Sequence, residues 1–159
     1  MLFSKSLETL PINIMFDDTP LERVSSTKFL GIVVDDKLSW KPHVDKICKL
    51  ISRNIGIINR LKTQLPLNSL LMLYTSLISP YLHYGLLVWG NANQTLLDRI
   101  LLLQKKALRI IHDSPARAHT DPIFIENKLL KIRDLYTYQL GQLLFNYNKN
   151  SLPHIFNDM

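Results

Sequence analysis

Between residues 40 and 64, Val44, Ile47, Ile51, Ile55 and Ile58 recur at steps of three and four, the spacing of one apolar face of an α-helix. At about 100° per residue, Lys46, Lys49, Arg53 and Arg60 share an arc about 60° wide, roughly opposite that face. From residue 37 to residue 62 there are seven Lys or Arg and one acid, Asp45. Alternating signs would fit a face that merely meets water; the near absence of acids points to phosphate as its partner. The whole chain leans the same way. Its 159 residues carry a net charge of +6 with 47% hydrophobic and 20% charged residues, which gives one globular domain and favours a polyanion.

The segments around this helix read as a mainly α chain with a small N-terminal antiparallel sheet. Residues 12–16 alternate as a strand does, Asp17-Asp18-Thr19-Pro20 is turn chemistry, and residues 21–24 can return as a second strand. Residues 28–34 are almost all aromatic, aliphatic or β-branched and read as a third, with Gly31 marking a close approach. Ser39 is placed to cap the long helix and Pro42 falls in its first turn. Pro66 interrupts; residues 67–79 form a helix apolar nearly all round and therefore central, until Pro80 kinks or ends it. Residues 81–89 suit a short helix, with a strand as the alternative. Asn93 or Thr95 caps a helix over 95–112 whose core line is Leu96, Ile100, Leu103, Ala107 and Ile110, with Lys105, Lys106 and Arg109 away from it. A short helix starts at Asp121-Pro122, and a last one over 132–148 buries Ile132, Leu135, Tyr136, Leu140 and Leu143 before a frayed tail.

Several chemistries find no residues here. Cys48 is the one cysteine, so an internal disulfide is excluded and a small core or boundary hydrophobe in a reducing compartment is expected. His43, His83, His112, His119 and His154 do not stand at metal-ligand spacing with one another or with Cys48. His83, between Leu82 and Tyr84, reads as a hydrogen-bonded core histidine. The five glycines are scattered, so no phosphate loop is present, and no serine sits in a nucleophile elbow. Residues 1–8 lack the apolar run of a signal peptide. Residues 70–89 carry too many Ser, Thr, Pro and His residues for a membrane span, so an intracellular place in cytoplasm or nucleus is expected.

An ordered set of short motifs adds a resemblance. Lys28-Phe29-Leu30-Gly31, Leu38-Ser39-Trp40 and His43-Val44 resemble the segment just after the palm of reverse transcriptases from non-LTR retrotransposons, the LINE-like and jockey-like elements. Residues 65–74, Ser79-Pro80-Tyr81-Leu82-His83-Tyr84-Gly85, Val88-Trp89-Gly90, Leu103-Gln104-Lys105-Lys106-Ala107-Leu108-Arg109 and His119-Thr120-Asp121-Pro122 continue it in order. The resemblance implies a palm edge over 1–36, a thumb-like helical bundle over 37–112 and connector helices over 113–159. It places Phe29, Leu30 and Gly31 near the primer end. It makes Lys46, Lys49, Arg53, Arg60, Lys105, Lys106 and Arg109 the contacts to an RNA–DNA or RNA duplex, and the palm a partner that lies outside the chain. Mg²⁺ belongs to the parent enzyme's palm; no cofactor is implied in this chain.

Phe16-Asp17-Asp18 has the sound of the aromatic-x-Asp-Asp turn that holds two metal ions in such palms. It stands too close to Phe29-Leu30-Gly31 for that role, and no room remains for the third carboxylate, so no catalytic residue is expected. Asp35-Asp36 reads as the end of a strand, with one carboxylate reaching a Lys of the following helix as the alternative. The competing function is a helical interaction module that binds no nucleic acid and whose basic faces only meet water.

Overall fold

The computed structural model describes residues 15–22, 24–149 and 151–153. Asp17 and Asp18 take left-handed backbone angles, φ 45° and 59°, and so make the tight turn between β1 (Met15–Phe16) and β2 (Thr19–Pro20). Residues 12–14 of the expected first strand, Arg23, and the tail from His154 onward lie outside the described residues. The second strand is the pair at Thr19–Pro20; Leu21 and Glu22 belong to no strand.

The expected third strand is two. β3 (Ser26–Phe29) and β4 (Ile32–Asp35) pair antiparallel with Phe29 opposite Ile32, and the chain reverses at Leu30-Gly31. Both turn residues are left-handed, φ 45° and 85°, as a two-residue hairpin turn requires. Gly31 takes this angle freely, but for Leu30 it costs roughly 1–2 kcal/mol. An apolar run with one glycine therefore folds as a hairpin, because β4 gains a covering helix while β3 remains exposed along its length.

Asp35 joins the sheet to the helices. Its two carboxylate oxygens accept hydrogen bonds from the amides of Ser39 (3.0 Å) and Trp40 (2.9 Å), groups that the following helix leaves free. Burial pushes the Asp35 carboxyl up, but the hydrogen bonds from Ser39 and Trp40 outweigh it and hold the group below the usual carboxylate value. The carboxylate thus caps the chain rather than reaching a lysine. Ser39 adds a weaker bond, its hydroxyl oxygen accepting from the Lys41 amide at 3.3 Å.

The helix that follows, α1 (Lys41–Leu61), buries Val44, Ile47, Ile51, Ile55 and Ile58 together with His43 and Cys48. Four elements return the chain across it: α2 (Leu67–Leu77), α3 (Ser79–His83), α4 (Leu86–Trp89) and α5 (Gln94–Ile111). Asn93 caps α5 by accepting from the Thr95 amide at 3.1 Å. Ion pairs Asp45–Arg99 (2.7 Å) and Lys62–Asp113 (2.8 Å) sit at the two ends of the α1–α5 contact, which makes these helices run parallel. α2 is not central: Leu70 and Tyr74 are buried, but Met72 is 68% exposed and Leu67 is exposed as well. It packs on one side only, against α1, α3 and α5.

The core line of α5 is Leu97, Ile100, Gln104, Ala107, Leu108 and Ile111, while Leu96, Leu103 and Ile110 are half-buried. The apolar ladder on α5 can be drawn in two registers, and a polar residue decides between them. Gln104 is fully buried because all it offers is used. Its Nε2 donates to the Tyr74 hydroxyl (3.2 Å) and the Leu130 carbonyl (3.1 Å), and its Oε1 accepts from the Ile132 amide at 2.9 Å. That amide is the first of α7 (Ile132–Asn148), reached through α6 (Asp121–Glu126). Asp121 lies in the first turn of α6, just after the N-cap residue Thr120, and pairs with Lys131. α7 buries Ile132 and Leu135 beside α4 and α5; Tyr136 and Leu143 are half-buried, and Leu140 is exposed with Leu144, Phe145 and Tyr147 beyond it. A Cβ added at Gly90 would overlap the Tyr136 ring and the Leu86 carbonyl, so glycine sets how closely α4 meets α7. Among the described residues no helix is long and apolar enough to cross a membrane.

Gln104→Leu keeps the volume and strips three buried partners. It should lower stability by about 2–4 kcal/mol, read as a lower urea midpoint at unchanged slope. A change below about 0.5 kcal/mol would mean that Gln104 does not join α2, α5 and α7.

Candidate nucleic-acid interface

The tip of the β3–β4 hairpin carries the most exposed apolar pair near the basic helix. Phe29 is 67% and Leu30 73% exposed. The tip is nevertheless held from three sides. The Val33 amide donates to His43 Nδ1 (3.2 Å), Lys46 Nζ donates to the Gly31 carbonyl (3.0 Å), and the Tyr84 hydroxyl donates to the Leu30 carbonyl (2.6 Å). Ile32 meets Gly85, whose φ of 62° starts α4. A hairpin that would otherwise pivot is thus fixed to α1 and to the α3–α4 junction.

These bonds settle where the predicted basic residues stand. Lys46 is half-buried and bound to Gly31, so it positions the hairpin and leaves the stripe. Lys49, Arg53 and Arg60 are exposed on the face of α1 opposite its buried residues, and none forms an ion pair within the described residues. Asp45, the acid on the same helix, is taken by Arg99. The set on α5 does not form one stripe. Lys105 faces toward Asp121, whose carboxyl is held low chiefly by the Lys131 hydrogen bond and charge, with Lys105 and His119 adding. Arg109 Nε donates to the Ala118 carbonyl at 3.0 Å. Lys106 and Arg109 share a cleft of about 370 Å³ with Lys62 and Asp113 at the C-terminal ends of α1 and α5. Lys62, by its hydrogen bond and its charge, holds the Asp113 carboxyl below the usual value.

His83 is exposed, with the Gln139 amide 3.5 Å from its Nδ1; the core histidine is His43. Burial, with the Lys46 charge adding, depresses the His43 imidazole from its ordinary 6.5 to about 4. His43, Lys46 and Tyr84 were not legible as hairpin anchors. Their hint is the absence of a turn residue at position 30, which leaves a left-handed leucine that something must hold. Asp17 and Asp18 stand at the β1–β2 turn, and no group of three or more His, Cys, Asp or Glu among the described residues is placed to hold a metal ion.

The chain thus presents a basic helix face beside a braced apolar tip. Comparisons with known proteins place it. No family model matches the sequence. No solved structure matches it either. The RNA-directed DNA polymerase from mobile element jockey of Drosophila melanogaster is 33% identical over 110 residues, 67% of this chain. The corresponding jockey polymerase of Drosophila funebris is 27% identical over 135 residues, 83% of this chain. A protein described as a probable RNA-directed DNA polymerase from transposon BS of Drosophila melanogaster is 29% identical over 115 residues, 70% of this chain. The chain is homologous to the RNA-directed DNA polymerases of transposable elements. More narrowly, its relatives are those of jockey-like non-LTR retrotransposons, and the matches span 12–15% of their length.

The folded chain keeps His43 neutral while the unfolded chain protonates it below about pH 6.5, so the unfolded state binds more protons between about pH 6.5 and 4. Stability should therefore fall as pH drops through that window, by about 2–3 kcal/mol. The Asp35 loss begins lower, below its unfolded value of 3.8. Melting from pH 7 to pH 4 should show the fall in the parent chain and a flattened profile in His43→Asn. Equal slopes in both would contradict the burial of a neutral imidazole.

Proposed function

We propose that this chain is the part of a retrotransposon reverse transcriptase that grips the primer–template duplex. In this reading residues 1–36 form the palm edge, 37–112 a thumb-like bundle and 113–159 a connector. The observation that carries it is the face of Lys49, Arg53 and Arg60, exposed and without an ion pair among the described residues, on the same helix that clamps the hairpin tip. Cations on one helix face neutralise successive phosphates and read no sequence. Phe29, Leu30 and Gly31 then project toward the primer end. Lys46 acts through Gly31, and Lys106 and Arg109, with Lys62, make a second, separate phosphate contact. Lys105 borders it.

Polymerisation, in this reading, belongs to a palm with its own carboxylates and Mg²⁺, and the chain by itself adds no nucleotides. The palm would pair with β3, whose residues are exposed and whose outer edge has no partner strand among the described residues. The relatives' homology to RNA-copying enzymes supports RNA–DNA hybrid as the partner and an intracellular place, in cytoplasm or nucleus.

Lys49→Gln with Arg53→Gln leaves the isoleucine face and helix propensity intact. It should weaken binding to unrelated RNA–DNA hybrids alike and reduce the slope of log affinity against log salt by about one unit per lost contact. Unchanged affinity and slope would make this face a solvated one, and the interaction module without nucleic acid would replace the duplex reading.

A further inference from the structure

The cleft of about 370 Å³ at the C-terminal ends of α1 and α5 holds three cations, Lys62, Lys106 and Arg109, and one acid, Asp113. The cations have an ordinary reason to be there, because the carbonyls that end a helix favour positive charge. Asp113 does not. It stands at the end of α5 that disfavours a negative charge, and its backbone is left-handed, φ 47°. The Ser114 amide donates to the Arg109 carbonyl (2.8 Å) and the Asp113 amide to the Ile110 carbonyl (3.3 Å). Asp113 therefore occupies the left-handed position of a Schellman turn, where glycine or asparagine is usual. What it adds to the turn is a carboxylate, 87% exposed as a side chain, whose Oδ1 accepts from Lys62 Nζ at 2.8 Å.

An ion pair this exposed adds little net stability, so it yields readily to a competing anion. The other two cations are available to such an anion. Lys106 is exposed and has no ion pair among the described residues. Arg109 has its Nε on the Ala118 carbonyl at 3.0 Å, which steadies the guanidinium; its four terminal N–H groups have no hydrogen bond among the described residues. We propose that Asp113 stands in for a phosphate: its carboxylate occupies Lys62 until a backbone phosphate entering the cleft displaces it, and Lys62 then joins Lys106 and Arg109 on that phosphate. This rests on the duplex reading above and adds what regulates its second phosphate contact. The carboxylate makes the free cleft less attractive to a polyanion by one charge. Once released, it takes up a cation from solution, which cancels one of the counterions that the duplex gives off. α1 and α5 stay packed without the pair, because their buried apolar residues and the Asp45–Arg99 pair hold them.

The test measures binding of an RNA–DNA hybrid to the full chain at several salt concentrations, for the parent, Asp113→Asn, Lys62→Gln and the double variant. Asparagine keeps the side-chain shape and suits the left-handed backbone, and melting of each variant checks the fold. Asp113→Gly, which suits the turn equally, repeats the measurement on a second substitution. Losing a purely structural pair would leave binding unchanged or weaken it. Here Asp113→Asn and Asp113→Gly should each bind about two- to fivefold tighter. Each should also steepen the slope of log affinity against log salt by about one unit. Lys62→Gln alone should weaken binding, and in its presence Asp113→Asn should bring no gain. An equal gain with and without Lys62 would reduce Asp113 to a general negative charge; no gain at all would make the pair purely structural. Either result overturns the proposal. Lys49→Gln with Arg53→Gln, measured alongside, separates the two readings. Its loss of affinity beside an unmoved Asp113→Asn removes the role of Asp113 and leaves the duplex reading standing. Absent or salt-insensitive binding in the parent removes both.

Discussion

The attachment of the β3–β4 tip to the helices is the constraint on which the rest of the arrangement depends. A two-stranded hairpin has too little buried surface to hold its own position. Here His43, Lys46 and Tyr84 each bond to its backbone, and Asp35 ties its last residue to the start of α1. Each such bond contributes about 0.5–1.5 kcal/mol net. Together they exceed the roughly 1–2 kcal/mol that a left-handed Leu30 costs. The strained, exposed leucine is therefore supported by its surroundings, which is the usual situation of a residue kept in place for a contact.

That attachment also sorts the charges. α1 uses one cation, Lys46, inward for the hairpin and presents Lys49, Arg53 and Arg60 outward. Its direction is set by parallel packing on α5, fastened by Asp45–Arg99 and Lys62–Asp113. The far end of the bundle is fixed by Gln104, which reaches α2 and the start of α7 from the middle of the core. The tip and the basic face are consequently parts of one rigid unit, which is what a grip on a stiff duplex needs.

The isoleucine face of α1, the proline break at residue 80, the Asn93 cap, the extents of α5 and α7 and the start of α6 were legible because periodicity and turn chemistry act locally. The hairpin at Leu30-Gly31 was not, since leucine is no turn residue and the bonds that hold it come from 10 to 54 positions away. The face of α5 was read one register off because an apolar line alone does not include Gln104, whose buried bonds turn Leu97, Leu108 and Ile111 inward instead of Leu96, Leu103 and Ile110. α2 and the second half of α7 were read as core from apolar composition alone, yet only one side of each finds a neighbour. Hydrophobicity shows that a surface prefers burial; which element buries it is decided by tertiary packing. Of the basic residues, the outward cations of α1 followed from angle alone, whereas the role of Lys46 depended on a turn that the pattern did not show.

The central claim is that tip and basic face meet nucleic acid together, in a fixed order along the duplex. Site-specific photocrosslinking tests it directly, with the reactive group placed in turn at Leu30, at Arg53 and at Leu144 on the outer end of α7, each mixed with an end-labelled RNA–DNA hybrid. The account predicts crosslinks from position 30 confined to the duplex terminus, crosslinks from position 53 at interior backbone positions, and none from position 144. Equal crosslinking from all three positions, or none from position 30 while position 53 reacts, would contradict it.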